Sequence, residues 1–213
     1  MFQEFAKIAR LNREIIITEK IDGTNAQVFI VDGNDVTEDV IGLPFVAQVD
    51  GFLVAAGSRT RWITPQQDNH GFAKWVQDHA HELIQLGPGR HFGEWWGPGI
   101  QRGYGQREKR FSLFNTSRWL DSHETQTMVI PEKATLAPQC CYVVPVLYRG
   151  LFGTAESGLT SAVSTCLERL WTFGSVASPG FMRPEGLVVY HTAANIFFKV
   201  TLEKDEVPKS LAK

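Results

Sequence analysis

Glu19-Lys20-Ile21-Asp22-Gly23-Thr24-Asn25 sets a lysine and an acid in a sharp turn between two apolar runs, Ile15 to Thr18 and Ala26 to Val31. An amine in such a strand-to-turn corner can attack a phosphorus atom once it has lost its proton, which burial or neighbouring positive charge favours. Asp22, two residues on, points to the same side of an extended backbone, where it can orient a metal or the amine. Gly23 lets the chain turn tightly enough for a phosphate to approach the backbone. Taken alone, the stretch fits a solvated hairpin turn as well as a nucleophile corner.

Four more short clusters follow: Gly57-Ser58-Arg59-Thr60, His91-Phe92-Gly93-Glu94-Trp95, Arg183-Pro184-Glu185-Gly186-Leu187-Val188-Val189 and Phe197-Phe198-Lys199-Val200. Each puts a charged residue at the edge of an apolar segment. The ordered set resembles the covalent nucleotidyltransferases, the ATP-dependent DNA and RNA ligases and the RNA capping enzymes. The Glu-Lys-Ile-Asp-Gly-Thr-Asn form most resembles the nick-sealing RNA ligases, the branch that includes the RNA-editing ligases. That branch often has histidine at the position of Asp22, so Thr24-Asn25 carries more of the likeness to RNA ligases. The resemblance spans about residues 14 to 201.

Length and composition fit one domain. The 213 residues are 43% hydrophobic, enough for a full core, and no linker, repeat or long charge block divides them. Met1-Phe2-Gln3-Glu4 lacks a basic region followed by an apolar one, and no segment is long and apolar enough to cross a bilayer, so a cytoplasmic protein is expected. Three cysteines, Cys140, Cys141 and Cys166, make neither a disulfide framework nor a zinc-spaced set. A net charge of −2 argues against a large non-specific nucleic-acid footprint but not against a local one. Arg102, Tyr104, Arg107, Lys109 and Arg110 lie in a glycine-bearing loop that reads either as a phosphate- and base-binding segment or as an ordinary solvated loop.

The patterning is α+β. Ile15 to Thr18 and Ala26 to Val31 read as paired strands, followed by strand-like runs at Phe45 to Ala56, Arg90 to Trp96, Phe111 to Phe114, Cys140 to Leu147, Leu187 to Tyr190 and Ile196 to Thr201. Phe72, Trp75, Val76, His79, Leu83 and Leu86 recur at helical spacing, which predicts a helix over Asn69 to Leu86; a second is expected from Ala155 to Phe173. Antiparallel sheets flanked by helices, with a ligand cleft between them, satisfy this pattern, and the resemblance implies that this is a central ATP cleft. The resemblance implies the same form, the ATP-grasp-like adenylyltransferase domain of ligases, here over residues 1–213 with no appended OB or helical C-terminal domain.

The resemblance also implies roles. Lys20 would attack the α-phosphate of ATP, with magnesium or manganese held by Glu185 and, in the outer shell, by Asp22. Arg59, with Arg61 as its rival, would grip a phosphate or ribose hydroxyl, and Glu94 the ribose. Phe114 would stack on adenine, Glu19 would present its backbone to the adenine edge, and Gly23 and Asn25 complete the nucleotide set. Lys199 would contact the α-phosphate and favour the neutral nucleophile. Two departures stand out: Asn115 replaces a usual acid, and Thr201 replaces a usual second lysine, a task Arg183 can share. The alternating strand leaves open a plain surface acid at Glu94 if it shares the outer face with Phe92. Phe111 reads as core, as do Trp75, Trp119 and Trp171; His79 and His81 fall on different helix faces, and Gly97 to Gly103 reads as a flexible loop over the cleft.

The function implied is an ATP-dependent RNA ligase: AMP on Lys20, AMP onto a 5′-phosphate, then attack by a 3′-hydroxyl. Its substrates would be RNA ends or a nicked duplex, with self-adenylylation open to dependence on a homodimer or partner protein. The alternatives are a DNA ligase, a non-catalytic nucleotide- or nucleic-acid-binding module and, less well matched, a capping guanylyltransferase.

Overall fold

The computed structural model describes residues 7–123, 131–153 and 161–203, together with Phe2 and Phe5. In chain order its first strands are β1 (Glu14–Lys20), β2 (Thr24–Asp32), β3 (Phe45–Val49), β4 (Phe52–Ser58) and β5 (Trp62–Ile63). Helices α1 (Phe72–Asp78) and α2 (Ala80–Leu83) follow, then β6 (Gly89–Trp96), β7 (Arg110–Leu113), β8 (Trp119–Leu120), β9 (Thr135–Leu136) and β10 (Cys141–Val143). The last elements are β11 (Val146–Leu151), α3 (Ser161–Phe173), β12 (Gly186–His191) and β13 (Ile196–Thr201). They form two compact units, one of Met1–Ile21 with Pro145–Lys213 and one of Asp22–Val144.

The first unit is an antiparallel sheet in the order β11-β1-β12-β13. Ile15 and Ile17 alternate onto one face of β1 and pack with Leu187, Val189 and Leu147 against Cys166 and Leu170 of α3. Each such buried aliphatic side chain contributes about 1.5–3 kcal/mol. Period two then fixes the other face: Ile16, Thr18 and Lys20 point away from α3. Of the helix expected from Ala155, residues 155–160 lie outside the described residues.

The second unit is a larger sheet in the order β10-β7-β6-β2-β4-β3, with β5 on β4. Ala26, Val28 and Ile30 of β2 and Val54 and Ala56 of β4 face Phe72, Val76, Ala80 and Leu83 of the helices. The pairing is not wholly antiparallel: β10 runs parallel to β7 and β8 to β9. Each parallel pair is reached by a long return, which parallel neighbours need and a hairpin cannot supply.

Several elements break where continuous ones are expected. The run Phe45 to Ala56 is a hairpin, because Asp50 (φ 49°) and Gly51 (φ 84°) adopt the two left-handed positions of a tight two-residue turn. The helical stretch begins at Phe72, after Asp68 Oδ1 and Oδ2 accept the backbone N–H groups of Ala73 and Lys74, and it breaks at His79 (φ −108°). Cys140 to Leu147 is cut at Val144-Pro145, where proline has no N–H to give a ladder. Trp119 is buried and Trp75 packs against the same core, but Trp171 is 70% exposed and belongs to no core. No helix among the described residues is long and apolar enough to cross a membrane.

Candidate active site

Strand β1 ends by delivering Lys20 to the face opposite α3, and β12 begins beside it, pairing Lys20 with Gly186. Lys20 Nζ lies 2.6 Å from Glu185 Oε2, a charge-assisted hydrogen bond between side chains 26% and 13% exposed. Pro184 and the start of β12 set the carboxylate at the mouth of the strand, and Leu202 N–H donates to Glu185 O at 2.9 Å. Glu185 Oε1 accepts no hydrogen bond from a described residue. A single carboxylate with a free oxygen suits a magnesium ion that keeps most of its waters. Among the described residues, no three His, Cys, Asp or Glu side chains cluster as a metal-binding set.

Lys199 lies on β13 opposite Val188, which in turn pairs with Thr18. Cross-strand partners share a face, so Lys199 and Lys20 project on the same side of the sheet, in adjacent rows. The next row is Lys20, Gly186, Thr201. Gly186 (φ 154°) has no room for a side chain, since a Cβ would meet Val200 O at 2.1 Å.

Glu19 points the other way, toward α3, and is buried. Its carboxylate accepts Ser175 Oγ–H at 2.6 Å and the backbone N–H groups of Val176 and Ala177 at 2.7 and 2.9 Å. Burial pushes its carboxyl above the ordinary value of 4.5, although the three donors pull it down. Glu19 N–H is given to Pro145 O. The side chain therefore ties the strand that carries Lys20 to the loop that leads into Arg183-Pro184-Glu185. This role went unread in the sequence, though the alternation Ile15, Ile17, Glu19 places an acid at a core position.

In the second unit, Asp22 Oδ2 accepts Arg102 Nε–H at 3.0 Å, and Asp22 N–H donates to the Tyr104 hydroxyl at 3.0 Å. Gly23 N–H donates to Glu94 Oε1 at 3.1 Å. A Cβ on Gly23 would lie 2.5 Å from Trp95 O, so close approach of the backbones demands glycine here. Asp22 is thus held by a guanidinium, its charge already matched.

The glycine-bearing loop differs from both readings of it. Tyr104 is buried, edge-on to Trp96, and unavailable to a base; Ile100 is fully buried; and Lys109 Nζ donates to His70 O at 2.7 Å. Successive turns at Gly97, Ile100 and Gly103 are anchored by those two buried side chains, so the segment is packed rather than a loose flap. No sequence signal distinguished a buried tyrosine in a glycine-rich segment from an exposed one.

Four expected nucleotide contacts gather on the sheet face away from α1 and α2. Asn25 pairs with Glu94, Glu94 with Ser112, and Phe114 N–H donates to Phe92 O beyond the end of β7. Arg59 is the first residue after β4, where the register continued by one step sets it opposite Asn25. It makes no hydrogen bond or ion pair with a described residue, whereas its rival Arg61 donates to Gln67 O at 3.3 Å. Glu94 does share its face with the 46%-exposed Phe92, yet it is engaged by Gly23. Phe114 is 37% exposed, and Asn115 Oδ1 accepts Arg118 N–H, a turn-capping task that needs no charge. His79 Nδ1 is bonded to Trp75 O and His81 lies near Asp50, consistent with separate faces.

The sequence matches the RNA ligase family over residues 13–201. None of the curated proteins matches it significantly. Among solved structures, a mutant of the Naegleria gruberi RNA ligase without ligands is similar, with 15% identity and a TM-score of 0.50, over 89% of this chain and 50% of that one. A second mutant of that ligase, solved with ATP and Mn, gives 18% identity and a TM-score of 0.50 over 91% of this chain and 51% of that one. The chain therefore spans about half the length of those ligases, and at such identities the likeness concerns the fold. The match across nearly all of the described strands and the ordered motifs agree: the chain belongs to the RNA ligase family.

Proposed function

We propose that the chain is an ATP-dependent RNA ligase whose nucleophile is Lys20. The observation that carries this is the 2.6 Å contact between Lys20 Nζ and Glu185 Oε2, on a sheet face that also bears Lys199. Purely structural ion pairs do not need a lysine at the end of a buried strand with a second cation on the same face.

In the first step Lys20 Nζ loses a proton and attacks the α-phosphorus of ATP. A nitrogen–phosphorus bond forms, the α–β anhydride bond breaks and pyrophosphate leaves. A 5′-phosphate oxygen of RNA then takes the AMP from Lys20. Finally a 3′-hydroxyl attacks that 5′-phosphate, and AMP departs as the phosphodiester forms. Lys199 offers positive charge to the phosphoryl oxygens as negative charge builds there. Glu185 would hold the divalent ion, which supplies charge neutralisation on phosphate oxygens. Asp22, clamped by Arg102 and Tyr104, fixes the turn that follows the nucleophile. Asn25, Arg59, Glu94 and Phe114 form the nucleotide-binding row, Phe114 as the face for adenine.

The test is a joining assay with matched RNA and DNA nicks bearing 5′-phosphates, ATP and magnesium. A sealed RNA product, with adenylylated 5′-ends accumulating when the 3′-hydroxyl is removed, supports the reading. Sealing of DNA alone, or equal sealing with GTP, contradicts it.

A further inference from the structure

The exposed face of the second unit's sheet continues past the nucleotide row. Phe92 lies across from Gln27 on β2 and beside Phe114, so two exposed aromatic rings stand at neighbouring cross-strand positions. Two residues along β6, on the same face and about 7 Å away by strand geometry, is Arg90. Its guanidinium lies 4.3 Å from the centroid of Phe29 and 5.1 Å from that of Trp62. Those two rings stack on each other, and Arg90 Nη1 donates to Gln27 Oε1 at 3.2 Å.

Arg90 is thus fixed in place, yet it has no carboxylate partner among the described residues. An arginine held by rings and an amide oxygen keeps most of its donors outward and its charge unmatched, the arrangement that suits a phosphate. Phe92 is the complementary oddity. It is a large apolar ring left 46% exposed in a sheet whose helices pack on the opposite face. An exposed ring beside an arginine is what an unpaired nucleic-acid strand uses, the ring under a base and the cation on the backbone.

We infer that Phe92 and Arg90 form a subsite for the RNA strand next to the nucleotide row, Phe92 stacking under an unpaired base and Arg90 holding a phosphate. The inference rests on the ligase reading for the identity of its ligand. The chemistry itself is independent of Lys20.

The test compares the wild type with Phe92→Ala, Phe92→Tyr and Arg90→Gln in two assays. One is fluorescence anisotropy with a short 5′-phosphorylated oligoadenylate RNA over a salt series; the other is labelling of Lys20 by ATP. Phe92→Ala and Arg90→Gln should each weaken RNA binding about tenfold, and Phe92→Tyr should keep it. Arg90→Gln should also reduce the slope of log affinity against log salt by about 0.7. Labelling by ATP alone should stay within twofold of wild type. Unchanged RNA affinity in variants whose melting curves match the wild type overturns the inference. Loss of ATP labelling together with RNA binding also overturns it, since the face would then belong to the nucleotide pocket. A wild type that binds RNA through this face but takes no label from ATP contradicts the ligase reading alone.

Discussion

Thr201 lies in the same cross-strand row as Lys20, with only Gly186 between them. Lys199 stands one row away on the same face. The sheet therefore offers two positions beside Lys20 for a cation, and the chain fills one of them. Lys199→Ala should slow formation of the labelled protein about 100-fold or more, as loss of a charge aimed at a developing phosphoryl charge does. Thr201→Lys should accelerate it several-fold at neutral pH. Single-turnover labelling with ATP checks both, and an unchanged rate in Lys199→Ala would remove that lysine from the mechanism.

Glu185→Gln keeps the size of the side chain and removes its charge. Labelling should fall at least 100-fold, with little change in thermal stability, because the Lys20–Glu185 pair is partly exposed. The measurement is labelling across a magnesium and manganese series beside a melting curve. Full activity that simply needs less metal would contradict the assignment of Glu185.

Gly23→Ala would drive a Cβ to 2.5 Å from Trp95 O and 2.8 Å from Trp96 Cβ. Such overpacking against backbone should cost about 1–3 kcal/mol. Tyr104→Phe is milder in shape but leaves the partly buried Asp22 N–H without its acceptor, a loss of about 1 kcal/mol. Urea unfolding reads both. Labelling should fall in each, since both loosen the turn two residues from Lys20.

The buried Glu19 gives a pH signature. Its folded carboxyl titrates above 4.5 because burial outweighs its three hydrogen bonds. A raised acid makes the folded state bind more protons, so its contribution is full below the unfolded value and lost as pH rises through the folded one. Relative to Glu19→Gln, the wild type should therefore gain stability as pH is lowered from neutral toward 4.5. Paired melting curves across that range test it, and a stability gap independent of pH would contradict it.

Much of this was legible in the sequence because the strands carry period-two signals. Ile15 and Ile17 declare the core face of β1, and Ala26, Val28 and Ile30 that of β2. What stayed hidden was decided by contacts between distant segments. Nothing near Tyr104 says that its hydroxyl meets Asp22, eighty-two residues earlier. Arg102 reads locally as a phosphate ligand, and only the fold turns it toward a carboxylate. Trp171 reads as core by its chemistry, but it lies on an exposed side of α3, away from the packed stripe of Cys166 and Leu170.

The ligase reading requires that Lys20 become covalently joined to AMP. Folded protein cleared of bound AMP, incubated with magnesium and α-labelled ATP and then denatured, should retain label, and Lys20→Ala should retain none. Label that persists in Lys20→Ala, or its absence from the folded wild type, would contradict the assignment of Lys20 as the nucleophile.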